Sequence, residues 1–248
     1  MVNLNPDEVT ELVTKAFVLE AITDKPGCTT RYEDLPGKPL QDFILAGINS
    51  AKYFGILARE LKNGTNDSVF AYSVEALAES NKHKSDKYIN IGLLEIMFLV
   101  VAARMNTDDR DRVVAEAVSI ANNTSNTDVM NIISMRKLAW STSLNSHKAK
   151  HDFSEYENCK SIIDYFALRC RSHPEDTSYY QWSNQYIKGF PILKDFLNSF
   201  NKNGEILNTT KDVFLRVMKE NPNMRVGIVA DMCAAAIFLW LSFNTEPV

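Results

Sequence analysis

Residues 5–31 read NPDEVTELVTKAFVLEAITDKPGCTTR, and they contain both a helix and the break that ends it. Asn5 can cap the helix, Pro6 suits its first position, and Glu8 completes a capping box. Apolar residues then recur at the spacing of a single helix face, namely Val9, Leu12, Val13, Ala16 and Phe17. This pattern predicts a helix from residue 6 that buries one face against other helices.

Glu20 occupies the next position of that apolar face, where a hydrophobic residue is expected. We therefore expect its carboxylate to face the interior or a cleft. Pro26 and Gly27 break the helix, so residues 23–38 are predicted to form a loop. Charged, hydroxyl and thiol groups are concentrated at the start of this loop, which makes it the leading candidate for a functional site. The alternative is a capped helix end that carries surface charges.

The remaining chain shows helical periodicity interrupted by turn signals, with no alternating strand pattern. Residues 88–104 are apolar almost all round, which predicts a helix at the centre of the core. A helix is also predicted to cover Asp67 to Glu79, and a capping box at Ser154–Glu157 predicts another that runs to about Arg171. We predict an all-α fold, a single compact domain of about ten helices that covers residues 1–248.

Composition narrows the possible functions. A net charge of −4 gives no reason to expect a nucleic-acid partner. The start of the chain lacks the pattern of a signal peptide, and the four cysteines form no Cys-x-x-Cys pair, which favours reduced thiols and a cytoplasmic location. The apolar run 89–105 is interrupted by Glu95, and the run 232–243 is shorter than the roughly 20 residues of a membrane span. We interpret both runs as core helices and expect no membrane partner.

Three further features allow two interpretations each. Glu95 is either a functional acid or the partner of a core base. Four aromatic residues at helical spacing either stack on a nucleotide base or belong to the core, namely Tyr179, Tyr180, Trp182 and Tyr186. His147 and His151 are spaced for a shared helix face, but Lys148 stands where a metalloprotease has Glu, which favours a solvated connection over a metal site.

One block of sequence resembles the triphosphoribosyl-dephospho-CoA synthase family. It runs from Leu19-Glu20 through Lys25-Pro26-Gly27 to Arg31, and is followed by Asp42-Phe43 and Ser50-Ala51. A second likeness is Asn90-Ile91-Gly92 ahead of an apolar run, with weaker ones at Tyr186–Phe190 and Asn221-Pro222. The chain departs from the family pattern at Cys28, Thr30, Lys87-Tyr88, Trp140–Ser143 and Asn223-Met224.

The resemblance implies an all-α transferase that uses ATP and dephospho-CoA. In such enzymes ATP loses adenine, and the ribose 2′-hydroxyl of dephospho-CoA or a related acceptor attacks the anomeric carbon. The resemblance implies roles for the following residues of this chain: Glu20 and Asp42 in catalysis, and Lys25, Gly27, Arg31, Asn90 and Gly92 in substrate and phosphate binding. Glu20 and Asp24 are the candidate Mg²⁺ ligands, because carboxylates at the start of the loop can hold this ion. A homo-oligomer is left open.

Two rival hypotheses remain at this stage. A catalytically impaired paralogue would bind a nucleotide or a protein partner without turnover, which would agree with the altered later motifs. A helical interaction protein without a ligand predicts that Glu20, Lys25 and Arg31 point to separate surfaces.

Overall fold

The computed structural model describes residues 4–82, 88–141, 153–200 and 205–244, and these ranges contain eleven α-helices. In chain order they are α1 (Pro6–Ile22), α2 (Leu40–Asn63), α3 (Ser73–Ser80), α4 (Ile91–Asn106), α5 (Val113–Asn123), α6 (Asn126–Ser141), α7 (Ile162–Ser172), α8 (Ser178–Ile187), α9 (Pro191–Ser199), α10 (Ile206–Glu220) and α11 (Val226–Asn244). Within the same ranges the chain has no strand, so the predicted all-α fold is confirmed. His147 and His151 lie outside the described residues.

Helix α1 forms as the opening stretch predicts. The Asn5 side chain accepts bonds from the backbone amides of Asp7 and Glu8, both at 2.9 Å, and the Glu8 carboxylate accepts the Asn5 amide at 2.8 Å. The predicted apolar face is buried, and so is Glu20 at its end. The helix ends at Ile22, before Asp24, and the loop that follows extends to Pro39.

Helices α4 and α11 form the centre of the core, and most of the side chains along them are buried. Helix α11 packs on α1, α4, α9 and α10, while α1 packs mainly on α2. With 19 residues and high mean hydropathy, α11 is long and apolar enough to cross a membrane, whereas the run 232–243 considered from the sequence is too short. Most of it is buried by other helices, as in the core helix of a folded domain.

Two predicted helix starts are wrong, and side-chain contacts explain why. Ser154–Tyr156 is a short 3-10 turn, and α7 begins only after Ser161, whose hydroxyl accepts the Asp164 amide at 3.2 Å. Between them, Asn126 donates to the carbonyls of Glu157 and Cys159, both at 2.8 Å, which holds that segment outside a helix.

The second wrong start is that of α3, which begins at Ser73 and not at Asp67. The Asp128 carboxylate accepts bonds from the Ser68 hydroxyl and the Phe70 amide, at 2.6 and 3.2 Å. These contacts from a distant helix hold residues 68–70 in turns.

Candidate active site

Two adjoining cavities lie where the loop after α1 meets the N-terminal ends of α4 and α11. The larger has a volume of about 420 Å³ and the smaller about 270 Å³. Four residues line both cavities: Tyr88, Ile91, Gly227 and Asp231. The two cavities therefore form one cleft with two lobes, and Asp231 is the acidic residue at their junction.

Glu20 lines the smaller cavity and is held there by Lys25. The Lys25 ammonium lies 3.1 Å from the Glu20 Oε1, and it also donates to the backbone carbonyls of Glu20 and Thr23. Lys25 is fully buried, and burial alone would lower the pKa of its ammonium group. The charge of Glu20, the hydrogen bond to it and the nearby thiols of Cys233 and Cys28 together outweigh that effect and raise the pKa of Lys25, so the lysine stays charged as the counter-ion of Glu20.

The loop after α1 forms a wall of the smaller cavity. Gly27 has a φ of 83°, a conformation that side chains with a Cβ rarely adopt. The Thr29 hydroxyl donates to the carbonyl of Lys38 at 2.6 Å and accepts the Leu35 amide at 3.1 Å, which closes the loop on itself. Gly27, Thr29 and Lys38 consequently line the same cavity as Glu20.

The N-terminal end of α4 also lines the cleft. Asn90 has a φ of 63°, and its side chain makes no capping hydrogen bond to the helix. It lines the smaller cavity, while Gly92, two residues later, lines the larger. A methyl group on Gly92 would overlap the Asp231 carboxylate and would lie 3.3 Å from the Trp182 ring. A glycine is therefore needed at position 92 for Asp231 to sit this close to α4.

Asp231 is enclosed by protein, and its remaining exposure faces the cleft. Burial raises the pKa of its carboxyl well above the usual range, and the charges of Glu20 and Glu95 raise it further. Lys38 opposes this effect only in part. The cleft thus holds two carboxyl groups in different environments, Glu20 with its own counter-ion and Asp231 poised to keep a proton.

Arginine and aromatic side chains line the larger cavity. Arg136, Arg169 and Arg225 supply the cationic surface, and the aromatic lining consists of Tyr88, Trp140, Tyr179 and Trp182. Two of the four aromatic residues singled out in the sequence therefore line the cavity. Tyr186 instead belongs to the core, stacked on Phe166 at a centroid distance of 3.8 Å.

Glu95 is the partner of a core base. Its carboxylate makes two contacts of 2.7 Å with the Arg136 guanidinium and accepts the Trp182 indole N–H, also at 2.7 Å. Glu95 is fully buried and lines neither cavity. Its structural task is to fix Arg136 and Trp182 in the wall of the larger cavity.

The structure brings together some of the predicted site residues and separates others. Glu20, Gly27, Asn90 and Gly92 line the cleft. Lys25 lies behind Glu20 with no exposed surface, so it does not reach a phosphate in this structure. Asp42 is half-buried in the first turn of α2 and is not part of either cavity lining.

Asp24 and Arg31 line a third cavity of about 70 Å³ that shares no residue with the cleft. There the Asp24 carboxylate pairs with Lys211 at 2.6 Å, and Arg31 packs over the Tyr32 ring. Asp24 therefore cannot join Glu20 around one metal ion in this arrangement. Among the described residues, no group of three or more His, Cys, Asp or Glu side chains forms a metal cage.

Several residues that line the cleft were not predicted from the sequence: Lys38, Arg136, Arg169, Arg225 and Asp231. A signal existed for Asp231, since it is the only charged residue between Val226 and Asn244, but no motif marked it. The arginines carried no signal, because they come together only through packing of α6, α7 and the start of α11.

Comparison with known proteins gives one finding. Residues 6–226 match the family model described as ATP:dephospho-CoA triphosphoribosyl transferase. No curated protein and no solved structure matches the chain. The family match covers α1 to α10 and reaches the first residue of α11, so it includes the resembling block and most of the cleft.

Proposed function

The chain belongs to the ATP:dephospho-CoA triphosphoribosyl transferase family, and we propose that its two-lobed cleft transfers triphosphoribose from ATP to dephospho-CoA, or to a related acceptor, with release of adenine. The observation that carries this proposal is the junction at Asp231. There a lobe that contains a paired carboxylate adjoins a lobe lined by arginines and aromatic rings. A transfer between two nucleotides needs adjoining sites of this kind.

The reaction exchanges one bond at the anomeric carbon of ATP. The acceptor 2′-oxygen forms a bond to that carbon while the bond to the adenine nitrogen breaks. The electron pair of the broken bond leaves with adenine, which takes up a proton. The acceptor hydroxyl loses a proton, so the protein must accept one proton and donate another.

The two carboxyl groups of the cleft suit these two proton transfers. Glu20, whose counter-ion Lys25 is buried behind it, accepts the proton of the attacking hydroxyl. Asp231, whose pKa is raised by burial and by the charge of Glu20, donates a proton to the departing adenine. Two carboxyl groups in contrasting environments are the usual solution for breaking a glycosidic bond.

Magnesium enters the proposal as the companion of the ATP phosphates. It commonly binds through one or two carboxylates together with phosphate and water oxygens, and it neutralises phosphate charge. Glu20 is the predicted metal ligand that faces the cleft, whereas Asp24 pairs with Lys211 elsewhere. We therefore expect Mg²⁺ alone to leave the melting temperature unchanged and to act only together with ATP.

An adenine-release assay with magnesium, ATP and dephospho-CoA tests the function. Glu20→Gln and Asp231→Asn should each lower the rate about 100-fold or more. Asp195→Asn, which removes the half-buried partner of Arg216 away from the residues that line the cleft, is the matched control and should keep the wild-type rate. The Asp231 variant should also lose the fall in rate at high pH, because that limb reports loss of the proton from the acid.

Two outcomes would contradict the proposal. If ATP raises the melting temperature but no adenine appears at any pH, the cleft is a nucleotide-binding site without turnover. If neither ATP nor dephospho-CoA changes the melting temperature, the cleft does not bind these nucleotides at all.

A further inference from the structure

We propose that Arg169, together with Arg225, binds the phosphoanhydride chain of a nucleotide substrate in the larger cavity. Two sources supply this chemistry, the triphosphate of ATP and the diphosphate of dephospho-CoA. The inference deepens the proposed function and rests on it for the identity of the nucleotides. Binding of a phosphate chain, however, needs no turnover and can be tested without it.

Arg169 is a buried cation for which the described residues supply no carboxylate partner. It is 3% exposed and lines the larger cavity, but the ion pairs formed among the described residues do not include it. Its guanidinium donates to the Tyr165 hydroxyl at 3.2 Å and packs over the rings of Tyr165 and Tyr179 at 5.4 and 5.3 Å. Burial of an unpaired charge is costly, so a ligand that supplies the missing negative charge explains its position.

Arg136 makes the contrast clear, because it lines the same cavity but is already neutralised. Its two contacts with Glu95 raise its pKa although burial alone would lower it. Arg169 has no such partner in the part of the chain that the structure describes, and burial, together with the nearby charge of Arg136, lowers its pKa. The carboxylate that could serve both arginines is thus committed to one of them.

The other charged groups of the cavity leave this positive charge uncompensated. Arg225 lies at the exposed start of α11 and forms no ion pair with a described residue, while its backbone amide is held by Gln181 at 2.9 Å. Asp231, which lines the same cavity, has a raised pKa, so it contributes less negative charge than an ordinary aspartate. A guanidinium matches the oxygens of a phosphate group through paired hydrogen bonds.

Titration calorimetry with inorganic tripolyphosphate tests the proposal directly. Wild-type protein should bind it, and Arg169→Met and Arg225→Gln should each weaken binding about tenfold or more, the effect of losing one charge-assisted hydrogen bond. Arg171→Gln is the matched control, since Arg171 lies on the same helix two residues further, is exposed and lines neither cavity. It should bind tripolyphosphate as the wild type does.

A competition experiment then identifies which nucleotide supplies the phosphoanhydride chain. The cavity binds the phosphates of the nucleotide that meets two criteria. That nucleotide displaces tripolyphosphate from wild-type protein, and it binds Arg225→Gln more weakly than wild-type protein. If Arg169→Met does not fold, Arg225→Gln decides the question, because its side chain is exposed. Failure of wild-type protein to bind tripolyphosphate would overturn the inference, as would equal binding by all variants or displacement by neither nucleotide. If wild-type protein binds tripolyphosphate but releases no adenine, the proposed function is wrong while the present inference stands.

Discussion

Gly92→Ala should impair catalysis through the position of one carboxylate. In an ordinary helix this change would stabilise the protein by about 0.5–1 kcal/mol. Here the new methyl group would overlap Asp231 Oδ2 and press on the Trp182 ring, where ordinary contacts need 3.4–4 Å. The carboxyl group must therefore retreat by roughly 1 Å, and a displacement of that size lowers a rate about 100-fold, or about 2.7 kcal/mol of barrier.

The assay is the initial rate of adenine release, expressed as kcat/KM per folded protein. Gly55→Ala is the control, because its methyl group would meet Thr10 of α1, and Gly55 is not among the residues that line the cleft. It should lower the melting temperature while the folded fraction keeps its activity. A Gly92→Ala enzyme with wild-type kcat/KM would refute the placement of Asp231, as would an equal loss in the control.

Three further predictions concern the groups around the cleft. Lys25→Met should lower the free energy of unfolding by about 3 kcal/mol in urea denaturation, because it leaves the largely buried Glu20 carboxylate without its partner; an unchanged midpoint would contradict that role. Because the folded chain raises the pKa of Asp231, the wild type should lose stability relative to Asp231→Asn as pH rises through that raised pKa. Melting temperatures of both proteins from about pH 4 to about pH 8 test this, and a constant difference between them would contradict it. Burial and the charge of Glu20 raise the pKa of Cys28 to about 12, so iodoacetamide at neutral pH should modify it far more slowly than a free thiol, as mass spectrometry can show.

The sequence predicts the helical scaffold well because the scaffold rests on local rules. The capping box at Asn5, the apolar face of α1 and the breaks at Pro26 and Gly27 all have the expected outcome. Glu20 was found because it interrupts an apolar pattern, which is a strong local signal. Predicted helix starts were wrong where a side chain distant in sequence binds the backbone or its neighbours, as Asp128 does at residues 68–70.

The site itself depends on contacts that the local sequence does not contain. Lys25 is predicted as a phosphate ligand because its charge lies on a loop broken by Gly27, but the folded loop places it beneath Glu20. Arg31 and Asp24 are close to Glu20 in sequence, but the end of α1 directs them to another surface. Asp231 and Arg169 join the cleft only through the packing of α11 and α7, which no spacing in the sequence reveals.

The central claim is that the two lobes work as one transferase site, and product stoichiometry tests it most directly. Wild-type protein incubated with magnesium, ATP and dephospho-CoA should release adenine in a one-to-one ratio with a product whose mass equals that of dephospho-CoA plus ATP minus adenine. Adenine should not appear when dephospho-CoA is left out. Release of adenine without the acceptor, accompanied by free triphosphoribose, would show that water takes the place of the second substrate and would contradict the account.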